Sequence, residues 1–380
     1  MALRQGRLPT RLAEWFELGQ AEASRLLPME GLRGIAVILV FFVHYCTLVD
    51  PYIMGLALPV AAVLRTVGHA GVDLFFVLSG YLIYGTLIRR PQPFPGFMRR
   101  RVQRLYPAFA VLLGVYLVLS FLLPSESKLP SGAWNGFVYV LANLLLLPGI
   151  FSIEPIITVA WSLSYEMFFY LTVPLLIAML RLRAWRPGAR VAVFLAAVIA
   201  AQVLQLPHPR MGMFACGMIL AELLPALRSR PRAGPALDPA ALAAIPACGF
   251  VLLQDLPGAA KFTALFATCF LLCAAGFAHR GPVAGMLVVR PLRWLGNMSY
   301  SYYLVHGLVL KMVFFVLGFL PAVHRLGEMA FWVLLPPAFL LTLVGSALLF
   351  LLVERPFSIM PAERVRKAPV VDRTVTLATP

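Results

Sequence analysis

Charge is what this sequence has least of. Only 13% of its 380 residues are Asp, Glu, Lys or Arg, against 61% hydrophobic. With a mean hydropathy of +0.86, that balance excludes a soluble globular protein. Acidic residues are the scarcer sign, 16 against 32 basic, and the formal charge is +16. Such a charge could suit nucleic acid, but the arginines stand in clusters between apolar runs, as positive-inside topology requires, so no nucleic-acid partner is expected. The five cysteines, Cys46, Cys216, Cys248, Cys269 and Cys273, all lie in or beside apolar segments. They fit packing positions, and neither a disulfide framework nor a metal site is expected. No convincing internal repeat is visible, which counts against a transporter built from related halves. Residues 1–28 lack the apolar core of a cleavable signal peptide and read as a basic, amphipathic cytoplasmic segment.

What the chain does have is membrane-length apolar runs from end to end. The expected fold is an all-α polytopic membrane protein of about ten transmembrane helices. One integral-membrane domain would occupy 29–358, followed by a basic cytoplasmic tail, 359–380. Crossings are expected near 34–49, 72–88, 105–123, 164–180, 191–206, 211–227, 240–254, 262–279, 299–320 and 330–353. The apolar link 52–69 is placed outside. The short piece 136–150 is expected to be re-entrant or interfacial, because a crossing there would put the Arg181, Arg183, Arg186 and Arg190 cluster on the wrong side. With that choice the clusters at 89–104, 181–190, 228–232, 280–293 and Arg355, Arg364, Arg366 and Lys367 all face the cytoplasm. The expected location is a bacterial inner membrane with both termini cytoplasmic.

Against this background a few polar residues stand out. In GLRGIAVILVFFVHYCTLVD, 31–50, Arg33 and His44 are eleven residues apart, close to three whole turns, and share one helix face about 16 Å apart. One end can hold an anion while the other does proton chemistry. Groups at such depth default to a functional reading because lipid offers no hydrogen bonds, although this pair taken alone reads first as a packed histidine bonded to a neighbouring helix. In GHAGVDLFFVLSGYLIYG, Asp73 opens a span and Ser79 and Tyr84 follow, with Gly80 and Tyr84 near the Asp73 face. Asp73 is either an interfacial helix cap or a functional carboxylate. In RRRVQRLYP, Arg101 and Arg104 lie three apart and can chelate phosphate, or simply mark the cytoplasmic side. WSLSYEMFFY carries Trp161 and an intramembrane Glu166. WLGNMSYSYYLVH carries Tyr302 and a second buried histidine, His306. Interhelical hydrogen bonds would explain either of the last two.

Taken in order, GLRGIAV, GVDLFFVLSGYLI, RVQRLYP, WSLSYEMFFY, LGNMSYSYYLVH and the closing VERP resemble the acyltransferase 3 family of integral-membrane acyltransferases. The resemblance runs through nearly the whole chain. It implies acyl-CoA, in the first place acetyl-CoA, as donor, and a carbohydrate or glycolipid hydroxyl as acceptor, without a metal. Arg33, Arg101 and Arg104, with Arg293 as a further candidate, would hold the donor's phosphates. His44 would be the general base or an acyl carrier, oriented by Asp73 or Glu166. Ser79, Tyr84, Trp161, Tyr302 and His306 would support substrate. The resemblance carries no counterpart for Lys311, and no appended hydrolase-like domain such as some members bear is expected. Two other classes fit the composition, a proton-coupled transporter or flippase using the buried His, Asp and Glu residues, and a scaffold whose polar residues only join helices.

Overall fold

A computed structural model of the chain describes residues 15–17, 27–230 and 233–359. Most of the basic amphipathic N-terminal segment, and the tail with Arg364, Arg366 and Lys367, lie outside the described residues. The helices in order are α1 (Leu27–Val49), α2 (Ala57–Gly68), α3 (Ala70–Arg89), α4 (Phe94–Leu122), α5 (Ala133–Leu144), α6 (Ala160–Met179), α7 (Pro187–Val203), α8 (Gly212–Ser229), α9 (Ala233–Leu253), α10 (Gly258–Ala278), α11 (Pro282–Leu287), α12 (Arg290–Asn297), α13 (Ser299–Gly318), α14 (Pro321–His324) and α15 (Met329–Leu349), which runs on as a wider π-helix, Phe350–Ile359. Among the described residues nine helical stretches are long and apolar enough to cross a membrane. The fold is therefore an all-α polytopic membrane protein.

The tenth expected crossing is α7, whose 17 residues rise about 25 Å, at the short limit of a span, and it joins the Arg183 end of the bundle to the Arg210 end. The 136–150 piece forms α5, whose 12 residues rise only about 18 Å, too short to cross. Two boundaries differ from the sequence reading. The link 52–69 is not an open loop but contains α2, which packs along α1; a methyl group on Gly68 would lie 2.6 Å from the Leu39 carbonyl oxygen, so the two backbones touch. The helix expected from 105 begins at Phe94, which puts the 99–104 arginines on α4 rather than in a linker.

The α3–α8 contact sets the centre of the bundle. A methyl group on Gly80 would lie 2.1 Å from the Phe214 carbonyl oxygen, and one on Gly217 would lie 2.0 Å from that of Val77. Close backbone approach at small residues is how helices associate where lipid competes for every apolar contact. Hydrogen bonds show which helix ends lie together. Arg183 donates to the Leu87 carbonyl at 2.8 Å, Arg89 to Ala221 at 3.3 Å, and Arg228 to Phe277 at 2.7 Å. These gather the ends of α3, α8 and α10 and the loop after α6 at one arginine-rich end. At the far end, Asp73 of α3 lies 3.8 Å from Arg210, just before α8, and Lys128 pairs with Glu154 at 2.9 Å.

Candidate functional site

Five of the residues singled out in the sequence meet in one cavity. Arg33 of α1, Ser79 of α3, Arg101 and Arg104 of α4, and Glu166 of α6 line a space of about 120 Å³ together with Ser162, Tyr170, Tyr300 and Tyr303. The three-residue spacing on α4 turns both arginines to the same side, as helical periodicity requires. Their bonding differs. Arg104 forms an ion pair with Glu354, which is fully buried and also accepts from the Ser301 amide at 3.0 Å and its hydroxyl at 2.5 Å; the guanidinium also lies 5.5 Å over the Tyr300 ring. Arg101 lies over Phe97 at 5.4 Å and Tyr170 at 5.7 Å, and its buried Nε has no hydrogen-bond partner. Arg33 lines the cavity and makes no hydrogen bond or ion pair among the described residues. Glu166 accepts from Ser79 at 2.8 Å and Tyr170 at 2.5 Å. Unspent guanidinium donors facing an empty space form a site for a polyanion.

His44 opens into a second cavity, of about 180 Å³, shared with Thr47, Tyr116, Thr158, Val159 and Lys311. Its neighbour is another histidine: the His44 and His306 rings meet edge to face with centroids 4.9 Å apart. His306 Nδ1 lies 2.8 Å from the Tyr302 carbonyl oxygen, which can only accept, so Nδ1 carries the proton and Nε2 keeps its lone pair. That Nε2 is buried and has no partner. Tyr302 stacks on the His306 ring at 5.3 Å and fixes its own hydroxyl on Thr342 at 2.8 Å. Tyr302 and His306 thus form a rigid backing for His44.

The two cavities are separated by a thin partition. The Tyr303 hydroxyl sits 2.6 Å from Ser162 Oγ and 3.2 Å from the Val159 carbonyl. Ser162 and Tyr303 line the arginine cavity and Val159 lines the His44 cavity. The Tyr303 ring lies 6.1 Å from that of His306. Tyr303 thus ties the linings of the two cavities together.

The remaining sequence candidates lie elsewhere. Asp73 is almost fully buried beside Arg210, and both its oxygens lack hydrogen bonds. Glu166 accepts from Ser79 and Tyr170 at one oxygen, Oε1, and no carboxylate among the described residues bonds His44, so the expected carboxylate–histidine pairing is not seen. Trp161 lies under Arg210 at 5.8 Å and edge-on to Tyr165 at 5.4 Å, outside both cavities. Tyr84 donates to Glu222, which Arg190 holds at 2.7 Å; a shared helix face with Asp73 did not reveal that this face meets α8. Arg293 is committed to Glu30 at 2.8 Å and does not line the arginine cavity. Sequence reasoning gave no role to Glu354, Tyr170, Tyr300, Tyr303 or Ser162. The signal for Glu354 was present, an acidic residue in VERP at the end of a long apolar run.

A family model described as an acyltransferase domain matches residues 28–351. Among curated proteins, the chain is 29% identical over 321 residues to "Acyltransferase MdmB" of Streptomyces mycarofaciens, covering 76% of this chain and 79% of that one. It is 28% identical over 266 residues to "Exopolysaccharide production protein ExoZ" of Rhizobium meliloti, covering 65% and 78%. To "O-acetyltransferase OatA" of Staphylococcus aureus it is 27% identical over 350 residues, 81% of this chain but 55% of that protein. No solved structure matches the chain. The family match begins just ahead of Arg33 and His44 and ends just short of Glu354, and it makes this chain a member of the acyltransferase 3 family, a membrane-embedded O-acyltransferase.

Proposed function

We propose that the protein moves an acetyl group from cytosolic acetyl-CoA, through the bundle, to a hydroxyl of a surface saccharide. One observation carries this reading: an arginine cavity and a histidine cavity stand back to back across the Tyr303 partition. The arginine-rich end is assigned to the cytoplasm of an inner membrane, since basic residues are retained on that side, and both termini then face the same way. The names of two relatives, an exopolysaccharide production protein and an O-acetyltransferase, support a saccharide hydroxyl as acceptor.

The donor's phosphates meet Arg33 and Arg101, whose donors are unspent, while Arg104 is held in place by Glu354. Glu166 shares the cavity wall with the arginines, held by Ser79 and Tyr170. The pantetheine arm brings the thioester to the Tyr303 partition. On the far side His44 takes the proton of the acceptor hydroxyl, a new C–O bond forms at the acyl carbon, the C–S bond breaks, and the thiolate leaves to be protonated in the cytosolic cavity. Alternatively the His44 imidazole attacks first, and the acyl group passes to the acceptor from nitrogen. His306, with a bare Nε2 beside His44, provides the backing that the sequence reading assigned to a carboxylate. Asp73, with Arg210 at the far end, is left to the acceptor side.

The test uses purified protein with acetyl-CoA. Saturable CoA binding and slow thioester hydrolysis are expected, and neither a transporter nor a scaffold would give them. His44→Ala should lower transfer per folded molecule by about 10²–10⁴-fold while CoA affinity holds. Wild-type specific activity in that variant would remove His44 from the chemistry. Orientation is tested separately: cysteines at Ser131 and Ser152, in a cysteine-free background, should both react with an impermeant thiol reagent from outside, and labelling of one alone would overturn the topology.

A further inference from the structure

Lys311 takes no part in the donor cavity or the histidine pair, yet it stands inside the membrane. It is the thirteenth residue of α13 and seven short of the helix end, about 10 Å along the axis. A lysine at that depth is unfavourable unless something engages it. Lys311 is itself exposed, and its helix face borders open space: Leu304 and Gly307 line the His44 cavity, Leu308, Met312, Phe314 and Phe315 line an adjoining cavity of about 350 Å³, and Lys311 lines both. Leu48 and Tyr116 are also common to the two, so they form one passage from the far end of the bundle to His44. At Gly307, one turn from Lys311 on the wall of the His44 cavity, a methyl group would meet nothing within 4 Å.

The ammonium makes no hydrogen bond or ion pair among the described residues. Glu126 lines the same outer cavity but is not within ion-pair distance of it, and Glu154 is held by Lys128 at 2.9 Å. The rest of the passage offers ring faces, Tyr52, Tyr116, Phe314 and Phe315, apolar platforms of the kind on which a sugar ring can lie. An open passage with aromatic walls and a cation that is uncommitted among the described residues is a recognition site for a ligand carrying one anionic group.

We propose that this passage is the acceptor site and that Lys311 selects a saccharide bearing an anionic substituent, a carboxylate or phosphate on the sugar acylated at His44 or on its neighbour. The proposal rests on the acetyltransfer reading above and adds the acceptor's charge class. It predicts that the acylated hydroxyl and the anionic group are close, because Lys311 and His44 line one small cavity.

The experiment compares surface glycans of the native host carrying the wild-type, Lys311→Met or Lys311→Arg protein, with CoA affinity measured on each purified protein. Lys311→Met should lower ester content about tenfold, as expected for losing one charge-assisted hydrogen bond to the anion. Lys311→Arg should restore a substantial part, and CoA affinity should be the same in all three. NMR of the wild-type glycan should place the ester on, or next to, an acidic residue, and sugar composition then separates a uronic carboxylate from a phosphoester. An ester on a neutral stretch of glycan, or normal ester content in Lys311→Met, would overturn the proposal. Absence of CoA binding and hydrolysis in the wild-type protein would instead overturn it through the reading beneath it, and the two failures cannot be confused.

Discussion

Two clusters at the arginine-rich end are built from the same three residue types. In the first, Arg190 gives Nε and Nη2 to the Glu222 carboxylate at 2.8 and 2.7 Å, and Nη1 to the Leu182 and Trp185 carbonyls at 3.2 and 2.7 Å; Tyr84 also donates to Glu222. In the second, among the described residues, Arg33 has no acceptor, Arg101 has only rings and an unpartnered Nε, and Glu166 is engaged by hydroxyls. Composition does not separate a strut from a site here. What separates them is bonding capacity left over: the Arg190 guanidinium is spent on its own fold, whereas Arg33 and Arg101 keep donors aimed into a cavity. An unsatisfied buried donor is unfavourable, and it persists where a ligand completes it.

The comparison breaks first at the strut. Glu222→Ala would leave the mostly buried Arg190 guanidinium without its counter-charge, and loss of one partner of a buried pair destabilises by about 3–5 kcal/mol. Thermal unfolding in detergent should show that loss, while CoA affinity per folded molecule stays at the wild-type level. A fall in CoA affinity would mean that the strut shapes the donor cavity.

Arg33→Ala should give the reverse pattern. Nothing in the described structure hydrogen-bonds this guanidinium, so the melting temperature should hold. Its charge-assisted bonds to a phosphate, about 1.5–3 kcal/mol, correspond to a loss of roughly 10–100-fold in CoA affinity. Calorimetric titration with CoA measures it. A destabilised protein with intact affinity would place Arg33 among the struts.

The same distinction explains what could be read in the sequence. Arg33, His44 and Glu166 were legible because an ionisable residue in an apolar run is conspicuous, and Arg101 and Arg104 because three-residue spacing fixes a shared face. Helix faces are one-dimensional information, however, and say nothing of which neighbour a face meets. Tyr84 was grouped with Asp73 by its face and turned out to meet Glu222. Glu354 was visible as part of VERP, but its partner Arg104 lies 250 residues earlier, beyond any local pattern. The pairing of His44 with His306 was hidden for the same reason. Helix α2 was missed because Gly55, Pro59 and Gly68 are residues that commonly break a helix, whereas Gly68 serves to let the helix touch α1. Crossing number was easier, since the apolar length required by the bilayer is a property of each segment alone.

The smallest expected effect falls within one side chain. Tyr300 donates its hydroxyl to the Leu105 carbonyl at 2.6 Å while its ring lies under Arg104 at 5.5 Å, so the oxygen acts as a strut and the ring as part of the site. Tyr300→Phe removes the first and keeps the second. One neutral hydrogen bond is worth about 0.5–1.5 kcal/mol net, so a small drop in melting temperature is expected with CoA affinity unchanged. Tyr300→Leu also removes the ring, and with it the attraction that steadies Arg104, about 0.5–2 kcal/mol depending on exposure. A several-fold weaker CoA affinity should then appear in Leu and not in Phe. Equal affinities in the two variants would show that the ring gives Arg104 no help. The arginine would then be positioned by Glu354 alone, and the division between strut and site would run between residues rather than through one.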